Sequence, residues 1–179
     1  MQTMKNRRTF FNIIIPGTLY LILSIFFPSC KAGYSFTGAS ISPDVKTFTV
    51  KFFTKTAALG PATMSQKFTE RLKDKFISQT NLLHTDKNGD LIFEGSIINY
   101  MISRIAIQSN ELAAQNRLTI TVSVKFTNLK DEKQNFETNF THYKDYSSIE
   151  NLAAIEDGLI SDIYDLILDD IFNKAVINW

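Results

Sequence analysis

The sequence predicts an α+β domain: a two-layer sandwich in which two helices cover one face of a mostly antiparallel four-stranded sheet, in the order β-α-β-β-β-α. Three observations carry this. In "RLTITVSVKFT" Leu118, Ile120, Val122, Val124 and Phe126 alternate with Arg117, Thr119, Thr121, Ser123, Lys125 and Thr127, the mark of a strand with one covered and one wet face. Two other segments, one after Thr63 and one after Ser147, place apolar residues three or four apart, the spacing of an amphipathic helix. The single cysteine, Cys30, leaves no disulfide to staple the fold, so the chain must rest on its own core.

Residues 1–29 read as a lipoprotein signal peptide. Lys5, Arg7 and Arg8 precede a run from Phe10 to Phe27 that is almost wholly apolar, a basic region followed by a hydrophobic one. An uncleaved membrane anchor is the alternative, since 18 apolar residues approach the length that spans a bilayer. The Pro16-Gly17 break and the small Ser29 before Cys30 favour cleavage. A small residue followed by cysteine at the end of such a run is similar to a bacterial lipobox, with Phe27 and Pro28 departing from its usual Leu and small residue. Cys30 is then the acylated N-terminus of the mature chain, and acyl chains such as palmitate anchor it to a membrane.

Residues 30–44, rich in Gly, Ser and Pro, read as a lipidated tether, and residues 45–179 as the folded domain. Its first strand is "VKTFTVKFF", with Phe48, Val50 and Phe52 facing inward. Thr63-x-x-Gln66 forms a capping box that opens a helix ending near Gln79, with Met64, Phe68, Leu72 and Phe76 as its apolar stripe. A short strand at Leu82–His84 and a turn at Asn88-Gly89 follow. From Leu91 to Ile107 the odd positions Leu91, Phe93, Ile97, Met101, Ile105 and Ile107 are apolar, which gives one long strand or two with a bend. After the central strand, "NLKDEK" makes a hairpin turn into a strand carrying Phe136 and Phe140. A second capping box, Ser147-x-x-Glu150, opens the last helix, with Leu152, Ile155, Leu159, Ile163, Leu166, Ile167 and Ile171.

Catalytic chemistry finds little support in these residues. There are two histidines, His84 beside a turn and His142 in phase with Phe136 and Phe140. No nucleophile elbow, histidine pair or glycine-rich phosphate loop accompanies them. No metal or cofactor site is expected, and Asp162, Asp165, Asp169 and Asp170 have the spacing of a solvated helix face. Without residues 1–29, 16 bases stand against 18 acids, a formal charge of −2 that does not favour nucleic acid. The charges divide between the helices. Lys67, Arg71 and Lys75 line the first, while residues 147–179 hold seven acids and one base, Lys174; mutual attraction of the helices is the simplest reading.

On the wet face, pairing Phe126 with Phe136 sets Lys125 opposite Glu137 and Arg117 opposite Asp145. If Ile105 and Ile107 face the core, Arg104 also lies on the wet face close to Arg117. The two guanidinium groups would then form a clamp for a phosphate.

In their order, "CKAGYSFTGASI", "MSQKFTERLKDKF", "NRLTITVSVKFTN" and "EDGLISDIYDLILDDIFNKAVINW" resemble the lipopolysaccharide-assembly lipoprotein family LptE in its Bacteroidetes form. The resemblance implies a sheet with two helices on one face and a protein without catalytic activity. It implies anchoring in the outer membrane through Cys30, the β-barrel LptD as partner, which such proteins plug and help to assemble, and contact with lipopolysaccharide. Arg104, Arg117 and Lys125 are the physical candidates for that contact. "KAGYSF" carries no acid after Cys30, which fits a protein facing the periplasm. A periplasmic lipoprotein scaffold, regulating cell-wall synthesis or forming part of a secretion pore, is the alternative.

Overall fold

The structure, a computed structural model, describes residues 41–105 and 114–177. The signal segment, Cys30 and most of the tether, as well as Ile107, lie outside the described residues.

Six strands and two helices follow one another as β1 (Thr47–Val50), β2 (Thr54–Lys55), α1 (Met64–Gln79), β3 (Leu83–His84), β4 (Leu91–Ile105), β5 (Gln115–Asn128), β6 (Phe136–Ser147) and α2 (Leu152–Phe172). Both helices pack on one face of a single sheet of order β3-β1-β4-β5-β6, with β2 also paired to β4. The α+β class and the helix placement match the sequence reading. The sheet is mixed, however: β1 runs parallel to β3 and β4, and β2 parallel to β4, while β4, β5 and β6 are antiparallel. Helix α1 connects the strands of the parallel edge, a crossover that antiparallel hairpins do not need.

The core is a row of rings under the helices. Phe48–Phe76, Phe76–Phe93, Phe93–Phe126 and Phe126–Phe136 have centroids 5.6, 4.6, 4.9 and 5.1 Å apart, so the row crosses the sheet from β1 to β6. Each such pair adds about 0.5–1.5 kcal/mol beyond the area it buries. The α1 stripe Met64, Phe68, Leu72 and Phe76 is fully buried, as its spacing predicts. On α2, Ile163, Ile167 and Ile171 are buried together with Ile160, Tyr164, Leu168 and Phe172, whereas Leu166 is exposed. A π-helical turn at Asn173–Ile177 extends α2 and buries Ala175 and Val176.

The first strand departs from simple alternation. Phe48 and Val50 face the core, but Phe52 is exposed and Phe53 is buried. The cause is a side chain. Thr69 of α1 donates its hydroxyl to the Ser65 carbonyl at 2.8 Å and accepts the Phe53 N–H at 3.0 Å. That N–H is thereby turned toward the helix, and the strand breaks into β1 and β2. The Phe53 ring then lies over Gly95, where an added Cβ would stand 2.7 Å from the ring and 2.0 Å from the Ser123 carbonyl oxygen. A residue with a side chain does not fit at that crossing.

Neither capping box forms as its pattern predicts. Thr63 makes no side-chain cap, and Gln66 bonds Glu70 at 2.9 Å instead. Glu150 does accept the Ser147 N–H at 3.1 Å, yet this closes a turn; α2 starts later, with the Asn151 side chain accepting the Ala153 N–H. Both helices begin behind tight local turns, and backbone carbonyls or nearer side chains take the bonds that a box would make.

The loop between β2 and α1 is tied by a cation. Lys55 Nζ donates to the carbonyls of Ala57, Leu59 and Gly60 at 3.2, 3.1 and 3.0 Å. Gly60 has φ +91°, and the Tyr100 ring packs where its Cβ would be.

Candidate functional site

The open face of the sheet follows from the β4–β5–β6 register. Lys125 pairs with Glu137 and Arg117 with Asp145, as the hairpin reading expects, and on its other side Lys125 pairs with Glu94. In the bonded arrangement Lys125 reaches Glu94 at 3.3 Å, and Lys51 holds the same carboxylate at 2.7 Å. Lys51 is the main reason the Glu94 carboxyl is held below its usual range, with Lys125 adding to it against partial burial. At the other end of the face Arg117 grips Asp145 through two bonds of 2.7 and 2.9 Å and stacks 3.6 Å from the Tyr143 ring centre. This fork holds the Asp145 carboxyl below its ordinary value. Between the two charged ends lie small polar residues: Ser96 and Ser123, Asn99 and Thr121, and Thr121 and Thr141, whose hydroxyls are 2.9 Å apart. Exposed Met101 and Tyr143 border this strip. The alternation marked these positions as wet, but nothing in it singles them out as a surface.

The expected clamp does not form. A bulge between Ile97 and Asn99 inserts Ile98 as an extra residue into β4. Beyond it the faces exchange, as a one-residue slip requires. Tyr100 is buried on the helix side opposite Ile120, and Arg104 pairs with Asn116 on that same side. Arg117 pairs with Ser103 and points to the open face. Arg104 and Arg117 therefore stand on opposite faces of the sheet. Of the three candidate residues, only Arg117 and Lys125 share a face, each with a carboxylate already beside it. Cys30 lies outside the described residues.

The helix charges form a ladder. Lys67 pairs with Asp157 at 2.8 Å, Arg71 with Asp165, and Lys75 with Asp169. Arg71 also donates to the Ser161 hydroxyl at 2.7 Å and its carbonyl at 3.2 Å. On its other flank α2 reaches β6, where Asp170 meets His142 at 2.6 Å and Asp162 meets Lys144 at 3.3 Å. The acids of α2 thus bind α1 on one side and β6 on the other, where their spacing alone suggested a merely solvated face. His142 sits on the helix side of β6, as its phase predicts. His84 Nε2 is buried without a hydrogen-bond partner, its ring edge-on to Phe48 at 5.3 Å. No group of three or more potential metal ligands exists among the described residues, and no helix among them is long and apolar enough to cross a membrane.

Solved structures with a similar chain trace include a minor lipoprotein from Acinetobacter baumannii, 15% identical with a TM-score of 0.46, covering 74% of this chain and 96% of that one. Rare lipoprotein B from Shewanella oneidensis is 9% identical with a TM-score of 0.44, covering 72% and 90%. A hypothetical protein from Chlamydia trachomatis is 11% identical with a TM-score of 0.49, covering 73% and 98%. No curated protein matches the sequence. The model of one family, described as LptE, lipopolysaccharide-assembly, matches residues 45–175, from two residues before β1 into the turn that follows α2. The chain belongs to the LptE family, whose role is lipopolysaccharide assembly.

Proposed function

We propose that the protein is an outer-membrane lipoprotein, held by acyl chains on Cys30 and facing the periplasm, that plugs the LptD β-barrel, helps it to assemble, and assists lipopolysaccharide on its way to the cell surface. The observation that carries this reading is the family match over residues 45–175, which takes in both helices and the whole sheet. The open face supports it physically. Lys51, Lys125 and Arg117 already have Glu94 and Asp145 as partners, so a barrel wall that covers this face strands none of these charges in a dry environment. Lipopolysaccharide contact is assigned to Arg104, Arg117 and Lys125 acting separately, Arg104 from the helix side and the other two from the open face.

A pull-down from detergent-solubilised outer membrane tests the function. The whole chain should recover a large β-barrel protein in one-to-one ratio. A complex without a barrel would overturn the reading in favour of a periplasmic scaffold. Fatty-acid labelling of the wild type and of Cys30→Ala tests the anchor, since label retained by the variant would exclude acylation at Cys30.

A further inference from the structure

The two edges of the sheet are built differently. At one edge β3 has two residues, and β1 and β2 are separated by the diversion at Lys51–Phe53. Short and broken strands of this kind are how proteins keep an edge from pairing with other chains. At the other edge β6 runs for 12 residues without proline or bulge, its register to β5 unbroken from Phe136 to Ser147. Among the described residues, none bonds the outer backbone groups of Phe136–Tyr146. A groove of about 420 Å³ opens beside the second half of this strand. Its apolar lining is Tyr146, Ala154, Ile155 and Leu159, and no basic residue lines it. Of its carboxylates, Asp145 and Asp162 already pair with Arg117 and Lys144, and Glu150 is in no ion pair with a described residue.

We infer that β6 is a docking edge for an extended segment of a partner polypeptide, which adds a strand to the sheet and sets basic side chains into the groove. The added strand would satisfy the free backbone groups of β6, the usual source of affinity in strand addition, while alternate side chains supply selectivity. Those that point toward α2 meet the groove. A Lys or Arg fits it best, because its methylene stem can lie on Ile155 and Leu159 while its head reaches Glu150. A second copy of this chain does not fit. Antiparallel self-pairing centred on Thr141 sets Glu137 against Asp145 twice, and it brings together two α2 helices that each carry six acids and no base. Resting on the function proposed above, the inference names the barrel protein as the source of the strand.

Gly158 permits a clean test. It lines the groove, and a Cβ added to it meets nothing within 4 Å. Gly158→Ala should leave partner recovery unchanged, and the melting temperature should not fall, since alanine is the better helix former. Gly158→Arg places a base where the partner's base should sit. It should lower recovery of the barrel in the membrane pull-down by at least about tenfold, equivalent to about 1.4 kcal/mol, again without a lower melting temperature. In parallel, a photo-cross-linking amino acid at Thr138 or Lys144, on the helix side of β6, should join the whole chain to the barrel in cells, while the same group at Gln79, at the end of α1, should not. If the barrel is recovered but cross-links only from Gln79, or is held equally well by Gly158→Arg, the docking edge is overturned and the proposed function stands. If the wild type recovers no barrel, both fall.

Discussion

In the β4–β5–β6 half of the sheet, neighbouring strands are joined main chain to main chain over long runs, and the register slips once, at Ile98. In the β1–β2–β3 half, side chains do much of that joining. Asp90 Oδ2 accepts the N–H groups of Lys46 and Thr47 at 2.9 and 3.0 Å and the Thr47 hydroxyl at 3.0 Å. Thr49 donates to the Thr85 carbonyl at 2.9 Å and accepts the Gly89 N–H at 3.0 Å, and Thr69 holds the Phe53 N–H. The difference teaches what each half depends on. A ladder of main-chain bonds tolerates any side chain that suits its face, so its weak points are errors of polarity. A sheet edge closed by side chains depends on a few specific polar residues.

The largest expected effect breaks the ladder half. Val122→Asp puts a carboxylate at a fully buried position and should cost about 4 kcal/mol or more. Thr121→Asp, one residue away on the open face, should be mild. Chemical denaturation of the two variants checks this, and equal losses would refute the assignment of faces.

The other half is probed at Asp90. The Lys46 N–H contributes most to holding its carboxyl at about 2 against an ordinary value of 3.8, with Lys130 and Thr47 adding and burial opposing. Because the folded value lies below the ordinary one, this contribution to stability is complete above about pH 4 and is lost as pH falls through about 2. Asp90→Asn should lower stability at neutral pH by about 1.5–3 kcal/mol, the range for hydrogen bonds to a charged group. It should also flatten the acid limb of a melting-temperature profile. An unchanged acid limb would remove Asp90 from the account.

Thr69→Val keeps the shape of the side chain and removes the acceptor of the Phe53 N–H. It should cost about 1–3 kcal/mol, the penalty for an unsatisfied buried group, and amide exchange at Phe53 should accelerate. Wild-type exchange there would mean that the strand break has another cause. The smallest effect is expected from Arg117→Ala, whose ion pair with Asp145 is exposed to solvent. It should give a slight loss of melting temperature that added salt reduces further.

The same contrast explains what could be seen from sequence. The run from Leu118 to Phe126 declares its faces because each apolar residue is followed by a polar one, and the Phe126–Phe136 pairing follows from the "NLKDEK" turn. The helix stripe of Met64, Phe68, Leu72 and Phe76 is equally plain. Phe52 and Phe53 are adjacent and alike, so only the Thr69 hydroxyl, 16 residues away, decides which is buried. Ile97 and Ile98 pose the same ambiguity, and the bulge at Ile98 carries Arg104 to the helix side. The parallel pairing of β1 with β4 was hidden because period-two alternation does not encode strand direction. The candidate site suffered from the bulge most directly, since a clamp built from Arg104 and Arg117 requires that none be present.

The lysine that ties the loop after β2 has a consequence for its reactivity. To attack an acylating reagent, the Lys55 nitrogen must leave the carbonyls of Ala57, Leu59 and Gly60 that surround it. Under limited labelling with an amine-reactive ester, followed by mass spectrometry, Lys55 should modify far more slowly than Lys87 or Lys133, whose ammonium groups make no bond to the described residues. Once modified, it should release the segment 57–60 to protease. Acylation of this one amine would then unfasten the entrance to α1.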